Sequence, residues 1–339
     1  MPWHWEPMKD AVNCDKPRGA VSRGWQMNIS GCISQMLEYK ESLGYSRSTY
    51  ELYLTDFKRY FEKTGAEEFT AESVLPWCTM RPLETPTGFK RRLVPLRELS
   101  KYLSATGQAD FILPLTMFPI THREPPYIIS DSELISFFNG CDKLPYCKSS
   151  PYRHLIIPVI FRLIYFCGLR PNEGREIKRE DFDFSSKTLL IRRNKTNKER
   201  LIPVSTDVTE MCQVYSEKMV AISPDTEYLF PSLTGGPCRK KWLAEAFRNV
   251  WNNACPERTN VHARTYLLRH RFATAVIMKW LDEGVDFYSR LPYLSAYMGH
   301  SHFEETAYYI HLLPENLLQS KSVDWKRLSD LIPEVEDDD

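Results

Sequence analysis

A proline-rich stretch constrains the fold of this chain more than any other feature of its sequence. Residues 108–128 contain four prolines, Pro114, Pro119, Pro125 and Pro126. Such a density of proline interrupts helices and is typical of extended linkers. We therefore predict a linker at 111–128 that divides the chain into two domains, and 339 residues are enough for both to have a core.

The residues before the linker are typical of a helical domain. Apolar residues recur at helical spacing in ISGCISQMLEYKESLG and SRSTYELYLTDFKRYFEKTG, which end at Gly44 and Gly65. KRRLVPLRELSKYLSATG predicts a further helix, with Pro95 in its first turn or at a kink. We predict a helical domain at 28–110, preceded at 1–27 by a polar and aperiodic segment that is an N-terminal arm or a disordered leader.

The residues after the linker predict a second, mainly helical domain that contains a β-hairpin. SDSE at 130–133 is a capping box, and YRHLIIPVIFRLIYFCG is apolar on nearly all sides, which predicts a central buried helix. Residues 187–193 and 200–205 read as two strands around a basic turn. This domain is predicted to span 129–320, followed by an acidic tail at 321–339.

Charge is balanced over the whole chain but not locally. Lys and Arg together number 44, as do Asp and Glu, which argues against a uniformly basic nucleic-acid binder. Residues 88–107 and 191–200 nevertheless each hold five basic residues and one acidic residue. The sequence therefore predicts two basic patches and one acidic end.

Other features disfavour membrane, secreted and metal-dependent proteins. No apolar run reaches the ~18 residues of a membrane span, and the N-terminus has no apolar signal region. Nine cysteines without a CxxC pair are typical of reduced thiols, and the spacing of Cys141 and Cys147 matches no common zinc pattern. We expect a cytoplasmic protein without a metal site.

The second domain contains a series of segments with side chains suited to phosphate chemistry. GLRPNEGREI places Arg170 after the buried helix, and NKTNKER places lysines in the turn of the hairpin. TYLLRHRFAT places Arg269 early in an amphipathic helix, and Gly299-His300 and Tyr309 follow. Arginine holds phosphate oxygens bidentately without losing its charge, so two arginines can act as a clamp.

In this order, the segments resemble the phage-integrase family of tyrosine recombinases. That family shows G-L-R-x-x-E, a strand–Lys–strand unit, H-x-L-R-H-x-F-A-T, and Gly-His followed nine residues later by tyrosine. GLRPNE, NKTNKERLIPV, LRHRFAT and GH match within a resemblance that covers about 30–320. One position departs, because Tyr266 stands where the family usually has histidine, and tyrosine cannot shuttle protons near neutral pH as imidazole does.

The resemblance implies a mainly α fold with a small β-sheet or hairpin, formed by a helical, SAM-like core-binding domain and a recombinase catalytic domain. It implies site-specific recombination, as by an integrase of a mobile element or phage, in which DNA strands are cleaved and rejoined through a 3′-phosphotyrosyl intermediate and a Holliday junction. No metal, ATP or other cofactor is implied. The implied partners are double-stranded DNA with a specific site, a homotetramer on that DNA, and accessory DNA-bending proteins.

The resemblance also assigns roles to residues of the clamp. Arg170 and Arg269 would stabilise the pentavalent phosphate, and Glu173 would orient them. His300 would hydrogen-bond the scissile phosphate, and Tyr309 would form the covalent bond to DNA. The nine-residue spacing from His300 selects Tyr309 over its neighbour Tyr308, which we expect to pack against the protein.

Lysines of the hairpin are candidates for protonating the leaving 5′-oxygen. Lys195 occupies the family's position, and Lys198 is its rival. Tyr266 is carried as a catalytic candidate in place of the family histidine. Further residues are predicted to bind DNA: Lys90, Arg91, Arg92, Lys101, Arg193 and Lys198.

Two other functions remain open from the sequence. The substitution at Tyr266 allows a non-catalytic or accessory DNA-binding protein on the same scaffold. A resolvase or type IB-like topoisomerase would use the same chemistry on the same motifs.

Overall fold

The chain divides into two compact units, residues 1–123 and 124–339, each of which is described by itself. The computed structural model describes residues 27–120, 126–192, 199–258, 260–302 and 304–312. The predicted arm, apart from Met27, and the acidic tail lie outside the described residues. The functional identities of the predicted domains stay predictions.

The first unit is built from helices whose ends follow local signals. Thr85 caps the last of them by accepting a hydrogen bond from the Gly88 backbone, and Gly65 ends another in the left-handed conformation. The fully buried side chains of Met36, Phe57 and Leu96 lie in the core of this unit. The helices are α1 Ile29–Ser42, α2 Arg47–Thr64, α3 Ala71–Val74 and α4 Pro86–Ala105.

Two local predictions for this unit differ from the structure. Helix α4 begins at Pro86, so Pro95 lies in its interior rather than in its first turn, and the alternative that it marks a kink stays a prediction. The beginning of the predicted linker packs on the first unit: Leu113 is fully buried, and its backbone nitrogen donates to Ser100 Oγ at 3.1 Å. The apolar residues between the prolines are the reason, because burying Leu113 removes apolar surface from water.

The second unit surrounds a central helix, as the sequence predicts. Ile157, Ile160 and Phe161 of the helix Arg153–Phe166 are fully buried, and this helix contacts the helices Asp131–Asp142, Thr206–Ile222 and Tyr266–Asp282. Ser130 and Glu133 form the predicted capping box at the start of the helix Asp131–Asp142. The helices are α5 Asp131–Asp142, α6 Arg153–Phe166, α7 Pro171–Arg175, α8 Thr206–Ile222, α9 Lys240–Ala254, α10 Tyr266–Asp282, α11 Phe287–Met298 and α12 Glu304–Ala307.

A small antiparallel sheet, whose strands lie side by side in the order of the sequence, completes the second unit. Its strands are β1 Phe182–Asp183, β2 Thr188–Ile191 and β3 Arg200–Pro203. The predicted hairpin is confirmed, with Ile191 opposite Arg200, whereas the two-residue β1 was not predicted. The register places Arg200 at the end of the hairpin nearest its turn. The predicted fold class, mainly helical with a small sheet, is confirmed.

Candidate active site

The carboxyl ends of two helices hold the two predicted clamp arginines in place. Arg269 donates from Nη1 to the Gly168 carbonyl, just beyond α6, at 2.6 Å, and from Nη2 to the Met298 carbonyl, the last residue of α11, at 2.9 Å. Arg170 donates from Nη2 to the Gly299 carbonyl at 2.8 Å. Carbonyls at helix ends lack partners within the helix and carry partial negative charge, so they attract guanidinium groups.

Glu173 is the carboxylate that these arginines share. It accepts hydrogen bonds from the Arg170 backbone and side chain at 2.9 and 3.0 Å, and its Oε2 lies 4.0 Å from Arg269 Nη1. Arg200 binds it bidentately at 2.9 and 2.8 Å. Burial raises the pKa of Glu173, but the hydrogen bonds and charge of Arg200 outweigh this effect and hold the pKa below its ordinary value. Glu173 is therefore ionised near neutral pH.

The charges at this site do not cancel. Among the described residues, three guanidinium groups, those of Arg170, Arg200 and Arg269, surround Glu173, and the half-exposed Glu305 approaches Arg170 only to 3.9 Å. Burial lowers the pKa of Arg269, and the charge of Arg170 adds to that effect. A site with surplus positive charge and unused N–H donors is suited to binding an anion.

Arg200 is a site residue that the motifs do not indicate, because the sequence predicts only a strand at this position. Its side chain is about one-tenth exposed, and besides Glu173 it binds the Tyr297 carbonyl through Nε at 2.9 Å. An arginine at the start of the apolar strand RLIPV was the available signal, since a charged residue that is buried in a sheet needs a partner.

Gly299 is required by the same contacts. Its φ is +67°, and a Cβ built on it would lie 2.6 Å from Arg200 Nη1. A side chain at this position would therefore displace the guanidinium of Arg200 from Glu173. The Gly-His step of the sequence thus has a steric basis.

Tyr309 lies between two imidazoles in the 3₁₀ turn Tyr308–Leu312. It is 4% exposed, its Oη is 3.2 Å from His270 Nδ1, and its ring stacks on that of His300 at 6.1 Å. Tyr308 is 36% exposed. Burial raises the pKa of the Tyr309 phenol, and the charge of Arg269 offsets only part of that rise. The tyrosine selected by the nine-residue spacing is the one that faces the arginines.

Both imidazoles are neutral near pH 7. Burial, together with the charges of Arg269 and Arg170, lowers the pKa of His300 to about 3. Burial and the charge of Arg269 lower the pKa of His270 to about 4. His300 Nδ1 is 2.6 Å from Thr306 Oγ1, which fixes the orientation of its ring.

Other predicted catalytic residues lie at the edge of the site or cannot be placed. Tyr266 begins α10, is 41% exposed, and has its ring centroid 5.8 Å from that of His270. The hairpin residues Arg193, Lys195 and Lys198 lie outside the described residues. The roles assigned to all these residues stay predictions.

The predicted DNA contacts of the first unit separate into two groups. Lys90 and Arg91 are exposed, and Lys101 is exposed while paired with Glu98 at 3.0 Å. The prediction is wrong for Arg92, which is 2% exposed. Its position on the inward face of α4, at helical spacing from other core residues, explains the difference, because a run of basic letters does not show which residues face inward.

Two further features bear on the class of protein. In the described ranges, no helix is both long and apolar enough to cross a membrane. The same ranges contain no cluster of three or more His, Cys, Asp or Glu side chains arranged to hold a metal ion.

Comparison with known proteins places these features in a family. A model described as the phage integrase family matches residues 129–316. The Sinorhizobium fredii protein y4rB, whose name places it among integrases and recombinases, is 27% identical over 297 residues, covering 84% of this chain and 92% of that protein. The tyrosine recombinase XerA of Thermococcus onnurineus is 25% identical over 297 residues, with 86% and 95% covered.

A solved structure agrees at the level of the fold. The XerH site-specific recombinase, in a post-cleavage complex with its palindromic difH substrate, has a TM-score of 0.63 and 21% identity, covering 88% of this chain and 85% of that one. The family match spans more than half of the chain and includes every described residue of the arginine–glutamate–tyrosine site. The chain therefore belongs to the phage integrase family of tyrosine recombinases, enzymes that cleave and rejoin DNA.

Proposed function

We propose that this protein performs site-specific recombination by attack of Tyr309 on a DNA phosphodiester, forming a 3′-phosphotyrosyl intermediate. The observation that carries the proposal is the position of a buried phenol beside guanidinium groups whose charge Glu173 does not cancel. A phosphodiester supplies the missing negative charge, and its phosphorus is the electrophile for the phenol.

The arginines stabilise the charge that develops during attack. Each guanidinium has five N–H donors, and Arg269 uses two of them on the carbonyls of Gly168 and Met298. The remaining donors of Arg269 and Arg170 are available to the non-bridging oxygens. Because the carbonyls and Glu173 hold both groups before DNA binds, little reorganisation is needed in the transition state.

Other residues complete the reaction. His300, neutral and oriented by Thr306, donates a hydrogen bond to the phosphate. Lys195, with Lys198 as its rival, protonates the leaving 5′-oxygen. The covalent bond to Tyr309 retains the energy of the phosphodiester, so rejoining requires neither ATP nor a metal ion.

The proposed partner is double-stranded DNA that carries a specific recombination site. Support comes from XerH, which is named with its difH substrate, and from exposed Lys90 and Arg91, which can bind phosphates in a salt-dependent manner. We further propose that the protein acts in the cytoplasm as a homotetramer on DNA, through a Holliday junction, as the integrase of a mobile element or phage. Accessory DNA-bending proteins are candidate partners.

Covalent capture tests the function on a pool of DNA that contains many sequences. The full chain is incubated with randomly nicked genomic DNA from its source organism, where a nick near the cleavage point lets a short strand escape and traps the adduct. Adducts that resist denaturant are collected, the attached DNA is sequenced, and the modified peptide is identified by mass spectrometry. The expected result is one recurring sequence attached to Tyr309.

Matched variants make this test specific. Tyr309→Phe is expected to abolish the adduct, whereas Tyr308→Phe is expected to retain it because Tyr308 is partly exposed. Adduct formation by Tyr309→Phe would contradict the assignment. DNA binding with no adduct from the unaltered chain would indicate a non-catalytic binding protein, and adducts without any preferred sequence would indicate a topoisomerase.

A further inference from the structure

We infer that His270 is the proton acceptor for Tyr309. It would thereby perform the proton transfer for which Tyr266, at the position of the family histidine, is unsuited. This inference rests on the proposed function. Its geometric basis is the 3.2 Å distance between His270 Nδ1 and Tyr309 Oη, which is within hydrogen-bonding range of a general base. The two residues lie on separate elements, α10 and the final 3₁₀ turn.

The protonation state of His270 suits an acceptor. A neutral imidazole with its proton on Nε2 presents a lone pair at Nδ1, where the phenol can donate. Burial and the adjacent charge of Arg269 lower the pKa of His270 and keep the ring neutral at pH 7, so the lone pair is available. An imidazolium at this position would donate at Nδ1 and could not take the proton.

Binding of the phosphate makes His270 a stronger base. In the free protein, the charge of Arg269 opposes an imidazolium one residue away on α10. A phosphodiester held by Arg269 and Arg170 brings a negative charge that offsets this repulsion. The phenol therefore loses its proton only when DNA occupies the site, which restricts attack to the bound substrate.

The step balances in atoms and charge. The proton of Tyr309 Oη moves to His270 Nδ1 as an oxygen lone pair forms the bond to phosphorus. The bond from phosphorus to the 5′-oxygen breaks, and that oxygen takes a proton from the hairpin lysine proposed above. Neutral tyrosine, neutral histidine, phosphodiester anion and ammonium become phosphotyrosyl anion, imidazolium, alcohol and amine, with no net change in charge.

The neighbouring side chains are less suited to this role. His300 Nδ1 is directed to Thr306 Oγ1, and its ring stacks on Tyr309 rather than meeting the hydroxyl edge-on. Tyr266 is 41% exposed, and a phenol is a poor acceptor from another phenol at neutral pH. Within the described residues, His270 is the side chain whose basic nitrogen meets Tyr309 Oη.

The first experiment uses the duplex recovered by covalent capture, nicked at the same place, in single-turnover adduct formation. His270→Asn keeps a hydrogen-bonding atom near the position of Nδ1 but cannot accept a proton. We expect the adduct to form about 10²–10⁴-fold more slowly, with DNA affinity unchanged. An unchanged rate would overturn the proposal, because a hydrogen bond alone would then suffice. Thermal unfolding of the same preparations checks that the variant folds, and His270→Gln serves as the alternative if it does not.

A second measurement separates nucleophile activation from leaving-group protonation. In a duplex with sulfur in place of the 5′-bridging oxygen, the thiolate leaves without being protonated. His270→Asn is expected to remain slow on this duplex, and recovery of its rate would overturn the proposal by placing His270 at the leaving group.

A third measurement alters the proton itself. Replacement of Tyr309 by a ring-fluorinated tyrosine, whose phenol is more acidic, is expected to accelerate His270→Asn more than the unaltered chain. Equal acceleration of His270→Asn and of the chain with His270 intact would overturn the inference. These tests are distinguishable from failure of the proposed function, in which the unaltered chain itself forms no adduct at Tyr309.

Discussion

Arg92 in the first unit and Arg269 in the second unit are both almost completely buried, at 2% and 1% exposed, yet their surroundings differ. Arg92 donates to Glu84 through Nε at 2.8 Å and Nη2 at 2.9 Å, and to the carbonyls of Trp77 and Thr79. Its guanidinium also lies 4.5 Å from the centre of the Trp77 ring. Its charge is fully compensated within the fold.

Arg269 has no carboxylate of its own. It donates hydrogen bonds to the carbonyls of Gly168 and Met298, and the nearby carboxylate of Glu173, at 4.0 Å, is shared with Arg170 and Arg200. Burial alone therefore does not distinguish a structural arginine from a functional one. What distinguishes them is whether the countercharge is already present in the protein or must be supplied by a ligand.

The largest effect is expected for Arg92, the arginine whose charge is compensated within the fold. Arg92→Met removes the positive charge that pairs with the Glu84 carboxylate and the donor to two carbonyls, and we expect it to destabilise the first unit by about 3–5 kcal/mol. Urea denaturation, with hydrogen exchange of α4 read by mass spectrometry, measures the loss. Arg91→Met, the exposed neighbour, should change stability by less than about 0.5 kcal/mol.

The double variant Arg92→Met with Glu84→Leu sharpens this test. Removing both charges should recover part of the lost stability, because the cost arises mainly from the unpaired carboxylate. If Arg92→Met proves as mild as Arg91→Met, the view that Arg92 is a structural residue is wrong.

The next largest effect is expected for Arg269, the arginine of the candidate active site. Arg269→Lys keeps the charge but loses the planar fork that reaches both carbonyls and the phosphate, so we expect adduct formation to slow by about 10²–10³-fold. Single-turnover cleavage of the captured duplex measures this rate. Arg271→Lys is the matched control, since Arg271 lies on the same helix and pairs with exposed Asp131. Equal slowing in both variants would contradict the distinction between the two arginines.

A smaller effect is expected at Gly299, which leaves room for Arg200 to bind Glu173 beside the two clamp arginines. Gly299→Ala places a Cβ against the Arg200 guanidinium and holds alanine at a positive φ, so we expect cleavage to slow by about tenfold, or roughly 1.4 kcal/mol. Gly235→Ala has a similar backbone, with φ +81°, but open space around its Cβ. That control should lose some stability and no cleavage rate, and comparable slowing in it would remove the role given to Arg200.

The order of the motifs in the sequence identifies most of the residues that lie together in the candidate site. Arg170, Arg269, His300 and Tyr309 each lie at or near the end of an element, where short spacings and glycines fix the local geometry, and the structure brings them together. Glu173 follows from its place three residues after Arg170. Their catalytic roles are still predictions, but their proximity could be foreseen from the sequence.

The rest depends on contacts between distant segments. Arg200 reaches Glu173 across 27 residues, and Tyr309 reaches His270 across 39. Nothing local in the sequence specifies either pairing. Arg92 lies on the inward face of α4, at helical spacing from core residues, and its partners on the segment before α4 hold it there. The adjacent Lys90 and Arg91, which are exposed, suggest a basic surface instead.

The last prediction concerns a difference in pH response between the two regions. His270 and His300 have folded pKa values of about 4 and about 3, below the value of about 6.5 that each has when unfolded. The unfolded state therefore binds more protons as pH falls below 6.5, and the second unit loses stability through that range. In the first unit, the hydrogen bond from Arg92 lowers the pKa of Glu84 to about 2, so the stability from that pair is lost only between about pH 4.5 and 2.

We expect a fall from pH 7.5 to 5.5 to cost the second unit about 1 kcal/mol for each of the two histidines and to leave the Arg92–Glu84 contribution intact. Hydrogen exchange, corrected for the pH dependence of intrinsic exchange, can follow α10 and α4 separately in the full chain. His270→Asn should remove about half of the response in α10 and none in α4. The neutral imidazoles predict a loss of stability that is specific to the second unit. Equal losses of stability in α10 and α4 would therefore contradict the difference in pH response between the site around Arg269 and the Arg92–Glu84 pair.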